Sequence, residues 1–437
     1  MDMDRRNFIR MSLLATGGAT LGVSLFGCAP GATTGGKASL RMAQFGSESR
    51  MKLLQQALAA YTARNPERSI TIDPASNEVY TDKLATQVSG GNAPDLMGLY
   101  HNVVARFARQ NALLNLDDHI GKGLDISAFQ DGIVDLGKIG GNVRALSFGD
   151  NALGIMYDVD RLASVGKSLP EPGYTWEDLL TFSVDISRAV GGNFYGTEDR
   201  SRQLDQAFRV WLLQRGKYTF TQDAEIGFSK SDLTDWLEYW QLMRDGGAAP
   251  PAAITAEAGG TFDQSALIHG YAANHQTYAN AISSMQTLTT SRLELTTLPI
   301  DPHGKGSGHS VRGSNWVGVY SRTKNPEVAV DVLNFLFNDE EAVGILGAEL
   351  GAPPNRKLRA GLKYTEPNQL FIDYMALIAD KLGVPAITLD QEFPPGWADI
   401  DLAFNTAADN VSFGKATVSE SVDKFFTTAE AALKAAA

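Results

Sequence analysis

A single cysteine, Cys28, leaves this chain of 437 residues no intrachain disulfide and no thiolate cluster for zinc. Basic residues are in deficit: 38 Lys and Arg stand against 50 Asp and Glu, a formal charge of −12. A surface that holds nucleic acid needs the opposite balance, because Lys and Arg neutralise the phosphates. After the first thirty positions there is no run of about eighteen strongly apolar residues, which argues against a spanning helix in the body. Wholesale disorder is excluded as well, since 43% of the residues are aliphatic or aromatic and 20% charged. At roughly 150 residues per domain the length predicts two or three domains.

Catalytic patterns are equally sparse. His303 and His309 share a loop and His269 and His275 are six apart, so neither pair has the i, i+4 spacing of an HExxH zinc helix. Gly166-Lys167-Ser168 resembles the end of a phosphate loop, but Arg161 occupies the position of its first glycine. There is no G-x-S-x-G elbow. Nothing singles out a pair among the 50 acids for glycoside hydrolysis. No catalytic residue, metal or cofactor is expected.

The N-terminus reads as an address. Arg5-Arg6-Asn7-Phe8-Ile9-Arg10 is a basic start, and Met11 to Phe26 a moderately apolar run loosened by Gly17, Gly18 and Gly22. These are the parts of an export signal, and the twin arginine points to the Tat route, which a receptor reads. Leu25-Phe26-Gly27-Cys28 resembles the bacterial lipobox, whose cysteine is diacylated and becomes the mature N-terminus. That resemblance implies a lipid anchor on the extracytoplasmic face of the cell membrane, held by more than one acyl chain. The alternative is a plain secretory signal with an incidental cysteine. The signal thus spans 1–28. Residues 29–38 (APGATTGGKA) are small and Gly-rich, as a flexible tether is.

In the body the hydrophobic period alternates between two and 3.6. Leu40 to Phe45, Ser69 to Ile72 and Asp95 to Tyr100 read as strands; the helix marked by Met51, Leu54, Leu58 and Tyr61 and another over Tyr80 to Ser89 lie between them. This alternation predicts parallel βαβ construction. Ala152 to Tyr157 is a further strand. Thr175 caps a helix from Trp176, with Asp178 completing a capping box. Asn325-Pro326 caps and starts another. Asp301 to Ser310 and Ala248 to Gly260 read as Gly-rich loops.

Several segments, in order, resemble the family 1 extracellular solute-binding proteins of ABC importers, the carbohydrate-binding class. Gly90-Gly91-Asn92-Ala93-Pro94-Asp95-Leu96, Asn111 to Asp118, and Ala152-Leu153-Gly154-Ile155-Met156-Tyr157-Asp158 are similar to successive stretches of that family. So are Tyr174-Thr175-Trp176-Glu177-Asp178-Leu179, Leu298-Pro299 and Thr323-Lys324-Asn325-Pro326-Glu327-Val328-Ala329. The resemblance implies an α/β, two-lobe periplasmic-binding-protein-like fold (type II) with discontinuous lobes joined by a hinge. We expect lobe one at 39–149 plus 301–345 and lobe two at 150–300 plus 346–437. It also implies a monomer that captures a sugar or sugar derivative between the lobes and delivers it to an ABC permease, not an enzyme. A non-carbohydrate solute of the same fold (a polyamine or a phosphorylated compound), an extracytoplasmic glycoside hydrolase and a surface sensor are the alternatives.

A neutral sugar needs planar bifunctional groups for its hydroxyls and aromatic faces for its C–H patches. Open α/β sheets bind ligands at the carboxyl ends of strands. That rule selects Glu48 after the first strand, Tyr80 beyond the second, and Tyr100 and His101 after the third. From the second lobe, the resemblance and the loops select Asp150, Asn151, Asp205, Gln206, Trp211, Tyr271, Asn274 and His275. Asn315 and Trp316 follow the Gly-rich loop, and Trp397 lies beside Gly396 on an expected loop. Trp176, Trp236 and Trp240, at helical spacing, are expected in the core.

Overall fold

The computed structural model describes residues 38–75, 77–221, 223–257, 261–385 and 393–436. The export signal, Cys28 and the tether up to residue 37 lie outside the described residues.

The chain opens with β1 (Ala38–Phe45), α1 (Glu48–Arg64), β2 (Arg68–Ala75), α2 (Asn77–Ser89), β3 (Leu96–Leu99) and α3 (His101–Arg109). The period-two pattern of β1 sends Leu40 and Met42 into one core and Ala43 and Phe45 into another on the opposite face. Ser47 caps α1 by accepting from Arg50 N at 3.3 Å, and Met51, Leu54, Leu58 and Tyr61 turn inward as their spacing predicts. Both β2 and β3 pair with β1 in parallel.

Short β4 (Lys138–Ile139) and β5 (Asn142–Val143) form a separate hairpin before β6 (Leu146–Asp158). There follow α4 (Val159–Ser164), α5 (Trp176–Val190), a π-helical turn (Leu204–Phe208), α6 (Arg209–Gln214), α7 (Lys230–Asp245) and α8 (Ala252–Glu257). Next come β7 (Asn274–Tyr278), α9 (Ile282–Gln286), β8 (Leu293–Thr296), β9 (Val311–Val319), α10 (Pro326–Asn338) and α11 (Glu340–Leu346). The chain closes with α12 (Arg356–Gly361), α13 (Glu366–Leu382), α14 (Trp397–Ser412) and α15 (Val418–Ala436). No helix among the described residues is long and apolar enough to cross a membrane.

One strand joins the two halves. β6 runs for 13 residues, all but the last buried. Its first half, Leu146–Ala152, pairs antiparallel with β9, whose own second half pairs with β3. Its second half pairs antiparallel with β7 and β8. The sheet is therefore mixed, with order β2-β1-β3-β9-β6-β7 and β8 also on β6, and not parallel throughout. The βαβ rule holds only for β1 to β3; the later strands return through β6 and β9 in opposite directions.

Cores lie on either side of this crossing. On the β1 side, Leu54, Phe148, Val317 and Leu333 fill one face of the sheet and Tyr80, Phe107 and Trp316 the other. On the β7 side, Ile155 and Tyr157 fill one face and Met156, Phe371 and Tyr374 the other, with a helical core of Trp176, Trp211, Trp236, Trp240, Phe404 and Phe425 beyond. The result is α/β with two lobes.

Local expectations mostly hold. Thr175 and Asp178 form a reciprocal capping box, at 3.1 Å and 2.8 Å. Asn325 precedes a helix that starts at Pro326, but its side chain makes no capping bond. Within Ala248 to Gly260 the chain forms the short helix α8 before residues 258–260, which are not described. Trp316 belongs to a strand and Trp397 opens a helix, so neither sits on the loop expected for it; both are packed against neighbouring aromatic or apolar groups.

The Gly-rich loop ends in His309, buried and held as a neutral tautomer. Its Nε2 accepts from Leu298 N at 3.0 Å while Nδ1 faces the Ser307 carbonyl at 3.1 Å, so a second ring proton has no acceptor. Burial lowers its pKa from 6.5 to about 4. Between those values the unfolded chain binds a proton that the folded one refuses, so stability falls as the pH is lowered through that window. Unfolding at pH 7 and pH 4.5 should show wild type losing about 2 kcal/mol more than His309→Gln.

Candidate functional site

The crossing is where the lobes meet, and its surface is polar. Cross-strand neighbours share a face of a sheet. Register places Asn151 opposite Arg312, Gly149 opposite Ser314 and Leu153 opposite Tyr278, so Asn151, Arg312, Ser314 and Tyr278 line one side. Asn151 Nδ2 donates to Asn280 Oδ1 at 2.7 Å and reaches Ser314 Oγ at 3.4 Å. Arg312 Nη1 donates to the Tyr278 hydroxyl at 2.9 Å and to Asp205 Oδ2 at 3.2 Å. Asp205 and Gln206 are presented by the π-helical turn, a distortion that recurs at functional sites. Gln206 Oε1 is buried without a protein partner.

From the first lobe, the β1–α1 junction supplies Ser47 and Arg50. Gly46 there has φ +127°, and a Cβ on it would meet the Arg50 side chain at 2.8 Å, so only glycine lets the guanidinium fold back over the turn. Arg50 Nη1 donates to Asn315 Oδ1 at 3.1 Å and Nη2 to the Glu349 carbonyl at 3.4 Å; its Nε lies 3.8 Å from Glu349 Oε1. Ser284 Oγ donates to that carboxylate at 2.8 Å, and Ser47 Oγ stands 3.4 Å from Ser284 Oγ across the lobes. Burial pushes the Glu349 carboxyl up, with Arg50 pulling against it. Tyr100 stacks on Phe45 with centroids 3.8 Å apart.

Residues 347–352 make a third passage between the lobes. Asp150 and Ala352 exchange backbone bonds of 3.1 Å and 2.9 Å. A Cβ on Gly149 would lie 2.3 Å from the Ala352 carbonyl oxygen, which is why the approach needs glycine. The Asp150 side chain bonds Arg359 at 3.0 Å and Gln130 at 3.1 Å. Burial raises the Asp150 pKa, and these partners oppose the shift.

Of the residues selected from sequence, the crossing gathers Asp150, Asn151, Asp205, Gln206 and Asn315, with Tyr100 near Arg50. The others lie elsewhere. Glu48 is exposed on the first turn of α1. Tyr80 is a core residue whose hydroxyl donates to Gly98 O at 2.6 Å. The side chain of His101 lies outside the described residues. Trp211 sits edge-on to Trp176 and Trp236, with the Arg215 guanidinium 3.7 Å above its ring. Trp316 is in the core beneath β9, and Trp397 packs on Phe393 at 4.3 Å. Asn274 is fully buried, bonded to Thr197 and Gly196, and His275 Nδ1 pairs with Glu198 at 2.8 Å. Tyr271 is exposed beside His269.

Sequence reasoning missed Arg50, Asn280, Ser284, Arg312 and Glu349. Arg50 carried a signal, standing four residues before Leu54 on the buried face of α1. Arg312 carried another, a charge inside a strand otherwise without ionisable residues. Among the described residues no three or more His, Cys, Asp or Glu side chains are grouped to hold a metal ion.

A family model described as bacterial extracellular solute-binding protein matches residues 46–343. A Brucella abortus protein whose name describes it as a binding protein is 22% identical over 405 residues, 91% of this chain and 93% of that one. The periplasmic oligogalacturonide-binding protein of Yersinia enterocolitica, solved with saturated digalacturonic acid, superposes with a TM-score of 0.80 at 21% identity, covering 91% of this chain and 99% of that one. An ABC substrate-binding protein of Listeria monocytogenes, solved with cycloalternan, gives 0.74 at 19% identity over 91% and 99%.

Removing one member of a buried ion pair strands the other. Arg359→Ala should therefore cost about 3 kcal/mol in urea unfolding, and Asp150→Asn in the same background should recover part of it.

Proposed function

Because the chain belongs to the bacterial extracellular solute-binding proteins, we propose that it captures a carbohydrate between its lobes and delivers it to an ABC permease. The observation that carries this reading is the layer of planar, bifunctional side chains converging on the crossing: Asn315 and Arg50 from one lobe, Asn280 and Asp205 from the other, and Asn151 and Arg312 on the passages between them. Such groups match the alternating donors and acceptors of sugar hydroxyls, and Tyr100 and Tyr278 supply ring faces. The saccharide ligands of the Yersinia and Listeria proteins support the same class.

The lobes pivot on three passages: Gly149–Ala152, Val311–Ser314 and residues 347–352. A ligand that contacts both lobes only when they are shut favours the closed form by the difference in its affinities. Driving a mostly open population to mostly closed takes about 5.5 kcal/mol of that preference. A few hydrogen bonds to charged groups, at about 1.5–3 kcal/mol each, supply it. The ligand leaves unchanged. The segment ending at Cys28 exports the chain, and acyl groups on that cysteine keep it at the extracytoplasmic face.

Thermal-shift screening against mono-, di- and oligosaccharides tests the reading. A cognate sugar at a hundred times its Kd stabilises by about 2.7 kcal/mol, and Asn151→Ala or Arg312→Ala should weaken it tenfold or more. Silence across the whole panel would remove the reading. Separately, Cys28→Ser should move the protein from the membrane fraction to the soluble one; unchanged fractionation would refute the anchor.

A further inference from the structure

Among the described residues, three guanidinium groups at the crossing each face a carboxylate of their own. Arg50 lies against Glu349, Arg312 bonds Asp205, and Arg359 bonds Asp150. The acids are well covered: Asp150 and Glu349 are 2% and 4% exposed. Arg209, the first residue of α6, is buried and donates to Ser310 Oγ at 2.9 Å. Arg50, Arg312 and Arg359 are thus each matched by an acid already.

We infer that this balance makes the cleft selective for uncharged saccharides over uronates and other anionic sugars, with Glu349 and Asp205 as the specificity-determining residues. The inference rests on the carbohydrate reading above. A ligand carboxylate entering the closed cleft finds every one of these forks facing an acid already. To gain an arginine it must displace that acid, leaving a buried carboxylate unpaired. A hydroxyl carries no charge, so it can hydrogen-bond an arginine or an acid of a pair without displacing the partner. The chain's net charge of −12 opposes an anion at long range as well. The Yersinia protein solved with digalacturonic acid shares the fold but not, on this argument, the ligand charge.

The experiment compares matched pairs by calorimetry on the whole chain: galactobiose with digalacturonic acid, and glucose and cellobiose with their 6-carboxylates, in low salt and in 0.15 M salt. The expected result is binding by a neutral member at least tenfold tighter than by its acidic partner. An acidic member that binds as tightly or more tightly overturns the inference while leaving the carbohydrate reading standing. If no saccharide of either kind binds, here or in the wider screen, the reading falls and takes the inference with it. Glu349→Gln keeps the shape of the side chain and an acceptor for Ser284, and Asp205→Asn does the same toward Arg312. Either substitution should raise the acid-to-neutral affinity ratio at least tenfold; an unchanged ratio in both folded variants would show that these acids do not set the selectivity.

Discussion

The structure depends on one strand shared by two sheets. β6 stays buried while it exchanges β9 for β7 and β8 as partners, so its backbone hydrogen bonds are satisfied on both sides of the point where the lobes part. Every other feature of the crossing follows from keeping that passage narrow. Gly149 and Gly351 bring a third segment into backbone contact, and no side chain fits between them. Polar groups forced inside by this closeness must find partners, and the Asn151–Asn280 and Asp150–Arg359 contacts provide them.

Buried ion pairs seldom raise stability over apolar packing of the same volume, because desolvation offsets most of the attraction. The proposed function gives them another role. An arginine matched by an acid stays fixed in direction and offers its remaining N–H groups at known positions. On the proposed reading the pairs form a fixed lattice of donors and acceptors, in which the matching of charge counts as much as shape.

Much of the fold was legible in the sequence, and for identifiable reasons. The helical face of Met51, Leu54, Leu58 and Tyr61, the Thr175–Asp178 capping box and the edges of β1 to β3 are local patterns, and local patterns survive without knowledge of the partner. The mixed sheet was not legible, because pairing direction is fixed by strands more than a hundred residues apart. The site divided along the same line. Asn151 and Asp205 are reached through the family resemblance, and both stand at the crossing. The tryptophans were weighed by their neighbours in sequence, yet Trp211 and Trp316 are surrounded in space by other apolar and aromatic side chains. Arg50 and Glu349 were passed over, since each lies in a stretch that reads as core and only their meeting reveals a purpose.

The distribution of indoles has a spectroscopic consequence. Trp176, Trp211, Trp236 and Trp240 share one helical core, and Trp397 packs against it. Trp316 differs: its six-membered ring covers Gly313 in the pivot strand so tightly that a methyl group there would lie 2.3 Å from it. With five indoles gathered at that core and one seated at the crossing, a change in the emission of Trp316 on closing would report the rotation of a few backbone bonds beneath a single ring.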